Sequence, residues 1–241
     1  EYPDIPVVVG GNNALTTPAD NVDYWVDSYG ENAILALFKH LIGTLGSPLR
    51  TDPTFMGSKN VLRGLHHYPS APLDNYLVDY ETRDFIMPYE CPQIETARGC
   101  MFECSYCNFP LLGQSKDVSV SKEEFKRQMQ TGYEKWGIKN WRVMDETFND
   151  RPSKLQKYAD AVDELGYNPW ICGFARGDLV VKHKEHWDTY IRLGFLGHSM
   201  GLETFNREAG KLVRKGMDPT QIQEGLLEFQ EYTDIHAPKR Y

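Results

Sequence analysis

The sequence predicts an α/β fold: a βα barrel, complete or partial, preceded by a shorter α/β segment. Three observations predict it. From Gln93 onward, short apolar strand signals alternate with helix-length amphipathic stretches, the pattern of a parallel sheet with helices between its strands. Several of those helical stretches open on residues suited to capping. Near the start, Val7-Val8-Val9 runs into Gly10-Gly11-Asn12-Asn13, a continuous branched apolar run entering a tight loop, as expected for a strand covered on both faces.

Taken in order, the Ile5–Val9 strand is followed by a strand candidate at Tyr24-Trp25-Val26 and by Gly30-Glu31 ahead of a helix from about Asn32 to Leu41. Ile34, Leu35, Leu37, Phe38 and Leu41 give that helix a broad apolar stripe. Between residues 43 and 90, Gly46, Pro48, Pro53, Gly57, Gly64, Pro69 and Pro72 read mainly as linker and irregular covering structure. Strands follow near 93–97, 139–144, 169–174, 196–201 and 234–237, and helices near 121–135, 152–165, 183–193, 205–215 and 219–232. Ser121 with Glu124 makes a capping box, and Asp218-Pro219 supplies a cap followed by a favourable first-turn proline. The chain therefore divides into 1–45, 46–90 and 91–241. Both ends read as cut, because Glu1-Tyr2-Pro3-Asp4 leads directly into a strand and Thr233–Ala237 approaches another.

Composition sets bounds. With 241 residues a sizeable core is within reach, and a net charge of −8 argues against the electrostatic footprint of a general nucleic-acid binder. No apolar run is long enough for a membrane span, and Glu1 begins no secretory leader. Of five cysteines, three fall in one loop, which is not a disulfide framework; a reducing, cytoplasmic setting is expected.

That loop, Arg98-Gly99-Cys100-Met101-Phe102-Glu103-Cys104-Ser105-Tyr106-Cys107, carries the chemistry. A cubic [4Fe-4S] cluster takes one ligand per iron, and cysteine thiolates are its usual protein ligands. Cys100, Cys104 and Cys107 supply three and leave one iron open. Gly99 relieves crowding before the first cysteine, while Phe102, Tyr106 and Phe109 would shield the sulfurs and lower the local dielectric. The rival is zinc, completed to four thiolates by Cys91. Pro92 and the following strand should carry Cys91 away. His66-His67 is a second candidate metal pair, although adjacent side chains seldom converge on one ion, and Cys172 reads as a small buried residue at a strand start.

The CxxxCxxC spacing, with an aromatic residue just before the last cysteine, resembles the signature of the radical S-adenosylmethionine (radical SAM) superfamily. The resemblance spans residues 90–241. It implies a partial radical SAM (β/α)6-type barrel with the cluster loop after its first strand, S-adenosylmethionine chelating the fourth iron, and electron transfer that cleaves it to methionine and a 5′-deoxyadenosyl radical. Val143-Met144-Asp145-Glu146-Thr147-Phe148 resembles the family's second-strand acidic motif; Asp145 and Glu146 would accept hydrogen bonds from the cofactor's ammonium or from substrate, with Phe148 walling the pocket, unless the two acids only cap a helix. Ala175-Arg176-Gly177-Asp178 resembles a third-strand segment in which Arg176 suits the cofactor carboxylate or a nearby acid and Asp178 orients it. Gly201-Leu202-Glu203-Thr204-Phe205 resembles the fourth-strand pattern of methylthiotransferases and cobalamin-associated members, placing Glu203 near the ribose hydroxyls or substrate. Lys215-Gly216 also fits the family, or simply ends a helix. The usual fifth-strand Gly-x-Ile-x-Gly-x-x-Glu adenine motif is absent from the sequence, and the main-chain carbonyl of Tyr106 is expected to approach the adenine amine.

Residues 1–45, with Gly10-Gly11 and Gly30-Glu31, resemble the tail of a Rossmann-like cobalamin (B12)-binding domain, although no cobalt-ligating Asp-x-His-x-x-Gly occurs. The leading expectation is a radical SAM enzyme, with a cobalamin-dependent methyltransferase as its more specific form, acting by methylation or carbon-centred rearrangement on a small-molecule or peptide substrate. A flavodoxin- or ferredoxin-like protein would donate the electron. The alternatives are a methylthiotransferase acting on tRNA or protein, and a noncatalytic metal-binding structural protein.

Overall fold

The computed structural model describes residues 4–11, 21–52, 60–64, 66–69, 72–75, 78, 80–81, 84, 91–107, 118–214 and 216–237. The expectations placed on Asn12, Asn13, Pro53, Gly57, Phe109 and Lys215 lie outside these. The chain forms two compact units, Glu1–Asn75 and Tyr76–Tyr241.

The first unit is a parallel sheet in the order β1 (Val8–Gly10), β2 (Tyr24–Asp27), β3 (Asn60–Arg63), with α1 (Glu31–Leu41) between β2 and β3. β3 lies in the stretch read as linker: Val61 and Leu62 are fully buried there, and the strand pairs Trp25 with Val61 and Val26 with Leu62. Alternation sends β2 and β3 side chains to two faces. Val26 and Leu62 pack with Ala33 and Leu37 of α1, whereas Trp25 and Val61 pack with Val9 and Val22. The apolar stripe of α1 is thus buried only through Ala33 and Leu37; Ile34, Leu35, Phe38 and Leu41 are exposed.

The second unit is built on a four-stranded parallel sheet in the order β4 (Gln93–Glu95), β7 (Asn140–Met144), β8 (Trp170–Ala175), β9 (Phe195–Met200). A short antiparallel pair, β5 (Ala97–Arg98) and β6 (Val118–Ser119), closes the base of the cysteine loop. On β7, Trp141 and Val143 are buried and Arg142 and Met144 are exposed. On β8, Ile171, Gly173 and Ala175 are the buried set. One face of the sheet therefore makes the core against α2 (Lys122–Trp136), α3 (Pro152–Val162), α5 (Trp187–Leu193) and α7 (Pro219–His236), around fully buried Trp141, Tyr158, Phe125, Phe148 and Phe195. At Gly132 of α2 a Cβ would come 2.5 Å from the Trp141 ring, so glycine is what lets this indole under the helix. The indole N–H donates to Tyr167 Oη at 3.1 Å.

Local chemistry explains most helix ends. Ser121 Oγ accepts from the Glu124 amide at 3.1 Å, Gly137 closes α2 in the left-handed region (φ 68°), and Asp218 caps α7 ahead of Pro219. Two expectations are corrected. The helix expected over 183–193 is α4 (Gly177–Lys182), a 3₁₀ turn Lys184–His186, and α5. The strand expected at 234–237 is the last turn of α7: Ala237 N donates to Thr233 O at 2.8 Å, since extending an existing helix costs less than starting a strand on Thr233 and Ile235. No helix among the described residues is long and apolar enough to cross a membrane.

Candidate active site

A pocket of about 570 Å³ opens where the second unit's strands end, and all three loop cysteines line it. This volume falls in the range of small-molecule sites, roughly 300–1,000 Å³. Each strand contributes at its C-terminal end: the loop after β4 and β5 brings Cys100, Cys104 and Cys107, β7 leads to Glu146 and Thr147, β8 brings Phe174 to Arg176, and β9 leads to Gly201 and Glu203. Parallel strands aim their ends at one mouth, so residues distant in sequence converge.

The loop is held at both ends. Gly99 takes φ 98°, a conformation open to glycine and strained for other residues. Just before it, Arg98 makes a bidentate pair with Glu95 at 2.5 and 2.8 Å. Further along, Cys107 N donates to Cys104 O at 3.0 Å, Ser105 Oγ donates to Leu212 O at 2.7 Å, and Tyr106 Oη donates to Glu203 Oε1 at 2.6 Å. Glu203 itself sits at φ 60°, uncommon for a residue with a side chain. Burial, followed by the Glu203 carboxylate, raises the Tyr106 phenol above its usual range, so it stays a donor.

Side chains from the later strand ends also touch the sulfurs. Thr147 Oγ1 is 3.6 Å from Cys100 Sγ, and Arg176 Nη1 donates to Cys104 Sγ at 3.2 Å. Arg176 also pairs with Asp178 through Nε (3.0 Å) and Nη2 (2.7 Å) and lies 4.0 Å from the centre of the Phe102 ring. Burial works against its charge, but the Asp178 pairing outweighs it and lifts its pKa further. Its backbone is fixed as well: Arg176 N donates to Asn149 Oδ1 at 2.8 Å, while Asn149 Nδ2 donates to Arg176 O at 3.0 Å.

The structure separates the two acids of β7's end. Asp145 does not line the pocket. It is buried, accepts from the Thr147 amide (2.9 Å) and Thr96 Oγ1 (3.3 Å), and pairs with Lys154 Nζ at 2.8 Å. Lys154 also meets Asp150 at 3.1 Å and Thr147 O at 3.2 Å, and the side chains of Lys154, Asp145 and Asp150 are only 2%, 1% and 2% exposed. Glu146 does line the pocket, and burial pushes its carboxyl up to about 7, assisted by Asp145 and Glu95 and opposed by Lys154. Phe148, expected as a pocket wall, is instead fully buried against Tyr158 and Phe195; the aromatic wall is Phe102, Tyr106 and Phe174. Thr147, Lys154 and Phe174 were not singled out by motif reading. Alternation along β8 marks Phe174 as opposite the buried face, but the pairing of Lys154 with Asp145 depends on the β7–α3 turn.

The donor set can be tested against the two metal options. A zinc ion with bonds of about 2.3 Å would draw thiol sulfurs to within about 4 Å of each other. The sulfurs of Cys100, Cys104 and Cys107 do not all lie within 4.8 Å of one another. As described, the three thiols are not gathered around a single ion; three thiolates are the protein ligands that a cluster with one open iron would take. Nor does Cys91 join them: it is absent from the pocket lining, and burial followed by its Cys172 neighbour pushes its thiol up to about 12. Cys172 lies third in β8, half-buried, and not at the strand start.

Residues 94–235 match the family model for the Radical SAM superfamily. No curated protein sequence matches the chain. Among solved structures, the fold is similar to the cobalamin-dependent S-adenosylmethionine radical enzyme OxsB with aqua-cobalamin and S-adenosylmethionine bound (TM-score 0.65, 16% identity, 91% of this chain and 34% of that one). It is also similar to the radical S-adenosylmethionine methyltransferase TsrM from Kitasatospora setae with tryptophan substrate and a SAM analog bound (TM-score 0.67, 16% identity, 95% of this chain and 48% of that one). The chain thus spans about a third of the first structure's chain and about half of the second's.

Proposed function

The chain belongs to the radical SAM superfamily, and on that premise we propose that Cys100, Cys104 and Cys107 hold a [4Fe-4S] cluster at which S-adenosylmethionine is cleaved reductively. The observation that carries this reading is three thiols, without Cys91 or Cys172, lining one pocket with two carboxylates and a guanidinium. When bound and reduced by an external electron donor, the cluster would supply one electron for reductive cleavage of the sulfonium, chemistry that serves methylation or carbon-centred rearrangement of a small-molecule or peptide substrate.

The chain's own groups divide the remaining work. Glu146 and Glu203, both at the pocket, accept hydrogen bonds from the cofactor's ammonium and ribose hydroxyls, and Tyr106 offers its main-chain carbonyl to the adenine amine. Arg176 acts on the cluster through Cys104, where a charge-assisted donor withdraws electron density from the sulfur. Asp145 positions: with Lys154 it fixes the Thr147 amide and carbonyl, and so the hydroxyl beside Cys100. Phe102, Tyr106 and Phe174 limit water at the mouth.

Cobalamin is the proposed second cofactor, on the parallel β1-β2-β3 sheet and its helix and on the likeness in fold to OxsB and TsrM. Methyl transfer is then the favoured reaction, with a flavodoxin- or ferredoxin-like reductant. The test is anaerobic reconstitution, reduction with dithionite and addition of S-adenosylmethionine. Release of 5′-deoxyadenosine, lost in Cys104→Ala, is expected. An intact cofactor beside a full cluster favours the structural metal protein instead. Strong, salt-sensitive RNA binding would favour the methylthiotransferase reading.

A further inference from the structure

We propose that His183, Glu185 and His186 form a second metal site, separate from the cysteine pocket, for a divalent late first-row transition ion such as zinc. These are the three donors among the described residues whose ligand atoms all lie within 4.8 Å of one another. Glu185 Oε1 is 3.1 Å from His183 Nδ1 and 3.7 Å from His186 Nε2. Bonds of about 2.0–2.1 Å to a tetrahedral ion place neighbouring donors a little over about 3 Å apart, so the set needs little rearrangement.

The local fold explains the convergence. His186 ends the 3₁₀ turn Lys184–His186, and His183 is the residue just before it. Residues three apart eclipse on a 3₁₀ turn, so the two imidazoles rise on one side, with ring centroids 6.1 Å apart. The intervening cation is drawn elsewhere: Lys184 pairs with Glu228 of α7. One residue beyond the turn's end, α5 is also tied to α7, with Tyr232 Oη donating to Asp188 Oδ1 at 2.6 Å and the Trp187 ring packed on Phe229. The turn is held from outside the donor set, and a site held in advance loses less freedom on binding.

Two imidazoles and one carboxylate select for zinc, nickel or copper over magnesium and calcium, which take oxygen ligands. With no ion, His183 Nδ1 and Glu185 share a hydrogen bond. Binding replaces that hydrogen bond: the hydrogen that His183 Nδ1 donates to Glu185 passes through solvent to Nε2, which frees the Nδ1 lone pair for the ion and leaves a fourth position for water. The ion then ties the end of α4 to the start of α5. None of the three donors lines the cysteine pocket, so the site does not rest on the proposed reaction.

The test uses untagged, cluster-loaded protein under anaerobic conditions, with Zn²⁺ as the probe. Zinc-soaked crystals are expected to show an anomalous peak between His183 Nδ1 and His186 Nε2 above the zinc edge and not below it, which separates zinc from cluster iron. In titration calorimetry, His183→Ala/His186→Ala should bind at that site at least tenfold more weakly, with iron content and melting temperature in the absence of zinc unchanged. Equal zinc affinity in the wild type and the double variant overturns the proposal. So does zinc found only at the cysteines, or a peak in crystals with no binding in solution.

Discussion

Arg176 reaches the Cys104 sulfur, an aspartate and an aromatic face from one side chain, so under the proposed function its charge acts on the cluster through Cys104. Hydrogen bonds to cluster sulfurs raise the reduction potential. Arg176→Gln should therefore lower the cluster midpoint by tens of millivolts in an EPR-monitored titration, with Arg176→Lys intermediate; an unchanged potential would remove Arg176 from this role. Glu146 gives a pH signature. Its carboxyl is pushed up to about 7, chiefly by burial and then by Asp145 and Glu95 against the pull of Lys154, so it is protonated below that pH and ionised above it. Only the ionised form attracts a cationic ligand fully. S-adenosylmethionine affinity is expected to rise as pH climbs through about 7 and to lose that step in Glu146→Gln, measured by equilibrium binding to the cluster-loaded protein. Lys154 is a different case, since Lys154→Met leaves Asp145 and Asp150 buried without their shared cation. Removing one partner from a buried ion network costs about 3–5 kcal/mol, which urea unfolding should register. At this scale the gathering of Cys100, Cys104 and Cys107 at one pocket was legible because they share one short loop. The split between Asp145 and Glu146 was not: adjacent acids look equivalent until the turn after β7 sends one toward Lys154 and the other to the pocket.

At the scale of elements, strands were legible where alternation or branched residues set one face against another, as on β7 and β8, and helices where caps punctuate the chain, as at Ser121 and Asp218. The break before α5 was not, because the segment from His183 to Leu193 keeps a helical pattern while α4 starts immediately after β8 at Gly177. Thr233 and Ile235 misled for the opposite reason: branched side chains suggested a strand, and the helix already running from Pro219 continued through them. The β9 strand carries its own testable weakness. His198 packs among Tyr190, Phe195 and Phe229, its Nε2 has no hydrogen-bond partner among the described residues, and burial brings its pKa down to about 4 from the ordinary 6.5. The unfolded chain takes up that proton first on acidification. The stability associated with a neutral His198 is present above about pH 6.5 and lost as pH falls toward 4, on the order of 3 kcal/mol in full. Replacing His198 with Phe should flatten the unfolding free energy over that window, and a profile identical to the wild type would contradict the assignment.

For the molecule as a whole, the parallel sheet of the second unit gathers its chemistry at one end. The loop thiols, the Glu146 carboxylate and the Arg176 guanidinium come from the ends of β5, β7 and β8, and β9 adds Glu203, which fastens the loop through Tyr106. This convergence could be anticipated from strand–helix alternation, because parallel strands share one C-terminal edge; the buried lysine network below it could not, because it depends on how α3 returns against β7. The most direct measurement of the central claim is EPR of the anaerobically reconstituted, reduced protein before and after S-adenosylmethionine is added. Three protein ligands and an open iron predict a [4Fe-4S] signal whose g-values shift on addition, with Cys104→Ala failing to assemble the cluster. A cluster whose spectrum ignores the cofactor at saturating concentration, or a protein that takes up only a single metal ion at the three cysteines, would contradict it.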